Sequence, residues 1–178
     1  MSNIEELFIQ CQKQHLRAQE MLYKSLSGKM FVLCFRYLKN KEDAEDVLTE
    51  GFVKVFKHIP SLQYQGEAAL IAWIKKIMVN EALGALRRRK TIVFEAHSEE
   101  IAIDAQPLAS LGASDIYHMI TELPLGLRTI FNLYAIEGYT HVEIAEMLGI
   151  AESTSRTQLM KARRALQEQL HKSQHYGS

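Results

Sequence analysis

Apolar residues recur every three or four positions along almost the whole chain, the spacing of one buried face on an α-helix. The pattern predicts helices over 3–12, 15–26, 28–39, 41–58 and 66–89, and again over 114–122, 124–136, 140–148 and 152–171. No stretch of useful length alternates apolar and polar residues, so strands are not expected and the predicted fold class is all-α. The helix at 41–58 is the clearest. Asn40 is placed to cap it, and Glu42 and Asp43 fall in the first turn, where the helix dipole favours negative charge. Ala44, Val47, Leu48, Gly51, Phe52, Val55, Phe56 and Ile59 then form one continuous apolar stripe. Gly51 within that stripe costs about 1 kcal/mol relative to Ala, which points to close helix packing at that position.

Between residues 91 and 113 the periodicity lapses. The stretch contains Pro107 and Gly112 and has only short apolar patches, so it predicts a linker. Two small helical domains follow, 1–90 and 114–172, with a short tail at 173–178. A length of 178 residues gives each enough chain for a modest core.

Composition adds less than charge distribution does. The chain is 47% hydrophobic and 24% charged, and 21 Lys and Arg balance 21 Asp and Glu. Wholesale disorder is excluded by that apolar content. The balance hides a pattern. Residues 1–90 carry fifteen basic against ten acidic side chains. The linker holds Glu95, Glu99, Glu100 and Asp104 and no basic residue, and 150–172 is basic again. No apolar run approaches a membrane span, and the acidic amphipathic start has no signal-peptide character. Cytoplasm is therefore the expected compartment, and Cys11 and Cys34 are expected to be buried reduced thiols.

Three constellations carry candidate chemistry. In the first, Thr140 to Gly149 reads as a short helix ending in glycine, and a longer helix follows after Ile150-Ala151, which is the helix-turn-helix plan. At 100° per residue, Ser155, Leu159, Ala162, Leu166 and Leu170 face inward. Ser153, Thr157, Met160, Lys161 and Arg164 face outward with Arg156 at the edge, a mixture suited to phosphates and base edges. The plainer alternative is a solvated face on a helical hairpin.

In the second, Trp73, Lys76, Asn80 and Arg87 lie within about 60° of one another around a helix axis, and the run Arg87 to Lys90 closes that helix. An aromatic, an amide and cations on one face could hold a nucleic-acid strand. Equally, Trp73 could be core and the basic run a partner for the helix dipole. The third is an acidic ridge of Asp43, Asp46 and Glu50, which repels DNA and suits a basic protein partner, unless it is simply solvated. No catalytic constellation is present. His171 and His175 have metal-ligand spacing but no third ligand in sight, so neither an enzyme nor a cofactor is expected.

These residues resemble a family. Asp43-Ala44-Glu45-Asp46-Val47 with Glu50 and Phe52 is similar to the polymerase-binding helix of bacterial sigma-70 factors. Trp73-Ile74-x-Lys76-Ile77-x-x-Asn80 and the basic run resemble the −10 region of the extracytoplasmic-function (ECF) members. Leu123-Pro124-x-x-x-Arg128, Glu143-Ile144-Ala145-Glu146-x-Leu148-Gly149-Ile150, Thr154-x-Arg156 and Lys161-Ala162-Arg163 resemble their −35-binding domain.

The resemblance implies a non-catalytic transcription initiation factor with region 2 over 1–90 and region 4 over 114–172. Its partners would be core RNA polymerase and promoter DNA, with an anti-sigma factor as a further candidate, and no membrane insertion. Asp43, Asp46, Thr49, Glu50 and Phe52 would contact the polymerase. Tyr64, Gln65, Trp73, Lys76, Asn80, Arg87 and Arg88 would serve the −10 element, with Tyr64 and Gln65 in a loop that captures a flipped base. Ser153, Arg156, Thr157, Gln158 and Lys161 would serve the −35 element, while Arg128, Arg163 and Arg164 favour phosphates. The chain departs from the family pattern at Thr49 (commonly Gln), Gly51 (commonly larger), Ser155 (commonly Val) and Met160 (commonly polar or aromatic). The alternative is a stand-alone helix-turn-helix regulator with a helical sensor domain. It leaves the acidic ridge and the Trp73 face unexplained.

Overall fold

The computed structural model describes residues 3–89 and 113–175, and all regular structure among them is helical. Apart from Ala113, the expected linker lies outside these residues. The chain divides into two compact units, Met1–Arg89 and Lys90–Ser178.

In the first unit, α1 (Asn3–Gln12) leads through a left-handed Gln14, with φ of 60°, into α2 (Leu16–Leu38). Two helices were expected across residues 15–39; the structure has one, running straight through Gly28. Buried Leu22, Leu26, Met30, Leu33, Cys34 and Tyr37 keep one stripe in register across the glycine. Burial of that stripe outweighs the cost of about 1 kcal/mol for an exposed helical glycine. Lys39 closes α2 in the left-handed conformation. The Asn40 side chain then accepts the Asp43 amide at 3.0 Å and starts α3 (Lys41–His58), as the sequence predicted.

A short 3-10 turn at Ile59–Ser61 and an extended loop lead to Gly66, whose φ of 104° turns the chain into α4 (Glu67–Arg88). Helices α1, α3 and α4 each pack against α2, and α3 packs against α4. At the α3–α4 seam the buried Gly51 lies directly against the Met78 thioether, the close approach that its sequence position implied. Cys11 and Cys34 are free thiols in this core, and burial pushes them up to about 11 and about 12, which leaves them unreactive.

The second unit holds α5 (Ala113–Glu122), α6 (Leu125–Phe131), α7 (His141–Leu148) and α8 (Glu152–His175). One helix was expected over 124–136. Instead α6 widens into a π-turn at Asn132–Ile136, where the Glu137 amide reaches back to the Asn132 carbonyl. Thr140 opens α7 with a full capping box, its amide and hydroxyl both bonded to the Glu143 carboxylate at 2.8 Å. Gly149, with φ of 67°, ends α7 in the left-handed conformation and sets up the turn into α8. Both α6 and α7 pack against α8.

Candidate functional site

The acidic ridge occupies the face of α3 opposite its apolar stripe. Asp46, Thr49 and Glu50 are exposed. Asp43 is not part of that open surface: its side chain is only 14% exposed and both carboxylate oxygens accept from the Arg89 guanidinium. Glu50 lies 3.7 Å from Arg88. Two residues of the basic run are therefore turned toward the acidic helix, and the ridge and run that the sequence treated as separate meet at one place. In the sequence Arg89 stood only as a member of the basic run, because nothing in the spacing reveals a partner 46 positions away.

Phe52, expected among the polymerase contacts, lies away from the exposed face of α3. It is 3% exposed, and its ring packs edge-on to Tyr23 with centroids 4.7 Å apart. It belongs to the hydrophobic core, where its spacing in the α3 stripe also places it.

On α4, Lys76, Asn80, Arg87 and Arg88 are exposed and Trp73 is half-buried. Trp73 borders a cleft of about 220 Å³ together with Leu62, Gln63, Tyr64, Gln65, Ala69 and Leu70. The loop forming the cleft is held from beneath. Gln12 donates to the Leu62 carbonyl at 2.8 Å, and the Phe8 and Tyr64 rings lie 5.0 Å apart. Tyr64 and Gln65 on the loop and Trp73 on α4 thus share one concave surface on the first unit.

In the second unit α7, the turn and α8 form the helix-turn-helix. Ser155, Leu159, Ala162 and Leu166 are buried, as the helical phase predicted. Ser153, Arg156, Arg163 and Arg164 are exposed, while Thr157 and Lys161 are half-exposed. Arg156 pairs with Glu152 and Arg164 with Glu168, each one turn away on the same helix. Such exposed i, i+4 pairs are worth only about 0.3–0.5 kcal/mol and yield readily to a phosphate.

Two expected DNA contacts are corrected. Gln158 is 4% exposed and points into the unit. Arg128 is 6% exposed and its Nη1 donates to the carbonyls of Thr121, at 3.0 Å, and Leu123, at 3.3 Å. It therefore closes the C-terminus of α5, where a cation also suits the dipole. Burial pulls its pKa down and the Glu122 carboxylate opposes this, but a guanidinium stays charged. Arg128→Ala is expected to destabilise the second unit by about 1.5–3 kcal/mol, read from the loss of hydrogen-exchange protection in α5, α6 and α8.

Among the described residues no cluster of three or more His, Cys, Asp or Glu could hold a metal ion. Nor is any helix among them long and apolar enough to cross a membrane.

One unit thus carries the exposed acids of α3, the cations of α4 and the Trp73 cleft, and the other carries a helix-turn-helix. Residues 22–92 match Sigma-70 region 2 and residues 113–166 match Sigma-70, region 4, together more than half of the chain. The chain belongs to the sigma-70 family, within its ECF group.

The ECF RNA polymerase sigma factor SigE of Mycolicibacterium smegmatis is 29% identical over 161 residues, 85% of this chain and 61% of that protein. SigW of Bacillus subtilis, another ECF sigma factor, is 29% identical over 157 residues, 80% of this chain and 83% of that protein. In fold, the chain resembles the sigma factor RpoE of Bartonella quintana, solved with the anti-sigma factor NepR. The TM-score is 0.52 at 21% identity, over 85% of this chain and 96% of that one. It also resembles CnrH, solved with the cytosolic domain of CnrY, with a TM-score of 0.50 at 18% identity over 93% and 95%.

Proposed function

We propose that this chain binds core RNA polymerase and directs it to particular promoters, acting in the cytoplasm without catalysis of its own. The observation that carries this is the presence in one chain of two separate cationic surfaces, the α4 face and the outer face of α8, together with the exposed acids of α3. A stand-alone operator-binding protein has no use for the acids or for the Trp73 cleft.

In this assignment Asp46, Thr49 and Glu50 dock on the polymerase, with Asp43 shaping the end of the ridge through Arg89. Trp73, Lys76 and Asn80 engage the −10 element, and the cleft beside Tyr64 and Gln65 has the apolar wall and amide donors that would hold an unstacked base. Arg87 and Arg88 lie where strand phosphates would pass. On α8, Ser153, Arg156, Thr157 and Lys161 face the −35 element, with Arg163 and Arg164 toward its phosphates. A protein inhibitor is a further partner in this reading, as RpoE of Bartonella quintana was solved with an anti-sigma factor.

Reconstitution with core polymerase followed by sequencing of transcript starts tests the assignment; absence of added start sites would refute it. Within that assay, Arg156→Ala or Lys161→Ala is expected to reduce promoter discrimination by about 1–3 kcal/mol if a base edge is contacted. A uniform loss across sequences with a shallower salt dependence would instead identify a phosphate contact.

A further inference from the structure

Helices α7 and α8 meet through a buried polar contact. His141, the first residue of α7, is 9% exposed, and its Nδ1 lies 2.9 Å from the hydroxyl oxygen of Ser155, which is fully buried in the first turn of α8. The imidazole also stacks on Tyr134 of the π-turn, with ring centroids 4.4 Å apart and planes inclined by 20°. The Arg163 guanidinium carbon, on α8, lies 5.8 Å from the centroid of the same Tyr134 ring, within cation–π range. One imidazole therefore ties the π-turn, the first helix of the motif and the start of the second.

We propose that, with α8 reading the −35 element as assigned above, His141 is a positioning residue for that reading: it fixes the rotation of α8 through Ser155 and Tyr134. Ser155 directly precedes Arg156 and stands two positions from Ser153 and Thr157, so anchoring Ser155 sets the direction in which all three outward side chains point. A hydrogen bond constrains rotation because it has a preferred direction, whereas an apolar contact at this position would not. The π-turn serves the same end, since its wider coil presents Tyr134 to both the imidazole and Arg163.

The charges around the imidazole favour its neutral form. Burial lowers the His141 pKa most, the Arg156 and Arg163 guanidiniums of α8 lower it further, and Glu152 of α8 opposes them. The N-terminus of α7 also disfavours a cation there. Neutral imidazole accepts from the Ser155 hydroxyl or, as the other tautomer, donates to it, while an imidazolium could only donate. Acid thus need not break the bond. Its cost is charging a buried ring between two cations. Because the folded-state pKa is depressed below the ordinary value of about 6.5, this stabilisation is complete at neutral and higher pH and declines as pH falls below that value.

The experiment uses the full chain in holoenzyme and a promoter identified by the start-site sequencing, as two duplex fragments, one with the native and one with a scrambled −35 element. The ratio of affinities for the two fragments is the readout. Ser155→Ala is expected to lower that ratio roughly threefold to tenfold, the worth of a typical net hydrogen bond, with holoenzyme formation unchanged. His141→Phe, which keeps the stack and loses the bond, should do the same, and combining it with Ser155→Ala should cost no more than either alone.

His141→Asn, whose amide can occupy the place of Nδ1, should restore most of the ratio. It should also flatten the loss of second-unit stability between neutral pH and about pH 5.5, read by hydrogen exchange. An unchanged ratio in Ser155→Ala and His141→Phe would overturn the proposal while leaving the promoter assignment intact. Strictly additive losses, or no recovery in His141→Asn, would also overturn it. A wild-type holoenzyme indifferent to the scrambled element would instead overturn the assignment of α8.

Discussion

Replacing Asp46 and Glu50 together by arginine should eliminate association with core polymerase, the largest functional effect expected of any surface change in this chain. Both side chains are exposed on the face of α3 that carries no core residue. A basic partner meeting that face would encounter two like charges where it had two opposite ones, and like-charge contacts across an interface cost several kcal/mol. The fold should persist. Glu50 gives up only a 3.7 Å contact with Arg88 in which both side chains are more than half exposed, and such pairs contribute about 0–1 kcal/mol. Asp43 is left in place because its side chain is mostly enclosed and paired with Arg89, and it sits at the α3 N-terminus. The check is co-purification with core polymerase alongside a thermal unfolding curve. Normal holoenzyme formation by the variant would remove α3 from the docking surface.

The largest stability effect is expected at the seam between α3 and α4. Met78 is fully buried and covers Gly51, which has no Cβ of its own to fill the space if the thioether is removed. Met78→Ala should therefore destabilise the first unit by about 2–5 kcal/mol, a transfer loss joined to a cavity that the backbone cannot close. Adding Gly51→Ala to that background should recover part of the loss, by occupying some of the void and by raising helix propensity by about 1 kcal/mol. In the wild-type background the same Gly51→Ala change displaces the Met78 thioether, so the two substitutions should be markedly non-additive. Hydrogen exchange of the α3 and α4 amides measures all three variants in the intact chain. Simple additivity would show that the contact does not govern the seam.

Much of the architecture could be read from periodicity because it depends on local rules. The α3 stripe, its Asn40 cap and the Gly149 stop were all legible, since each is decided within one or two helical turns. Gly28 misled because a glycine in an exposed position says little about a helix whose opposite face is continuously buried. The π-turn after Phe131 was invisible for the complementary reason: its sequence, Asn132-Leu133-Tyr134-Ala135-Ile136, is compatible with ordinary helix.

The site was partly legible. The outer face of α8 followed from its phase, but Gln158 lies only about 60° from Ser155 around the axis, and the buried arc is wide enough to include it. Arg128 was read by its charge, although its role is set by two carbonyls at the end of the preceding helix. Phe52 already stood in the apolar stripe, and that local signal was the right guide. The Arg89–Asp43 and His141–Ser155 contacts join different helices, and no spacing rule reports which helices will touch.

The only tryptophan in the chain, Trp73, stands at the border of the cleft in the first unit. Indole emission shifts with the polarity of its surroundings and is quenched by stacked bases, so the wild-type polypeptide carries its own optical gauge at that spot. Occupancy of the cleft can be followed by intrinsic fluorescence, without dyes or altered residues.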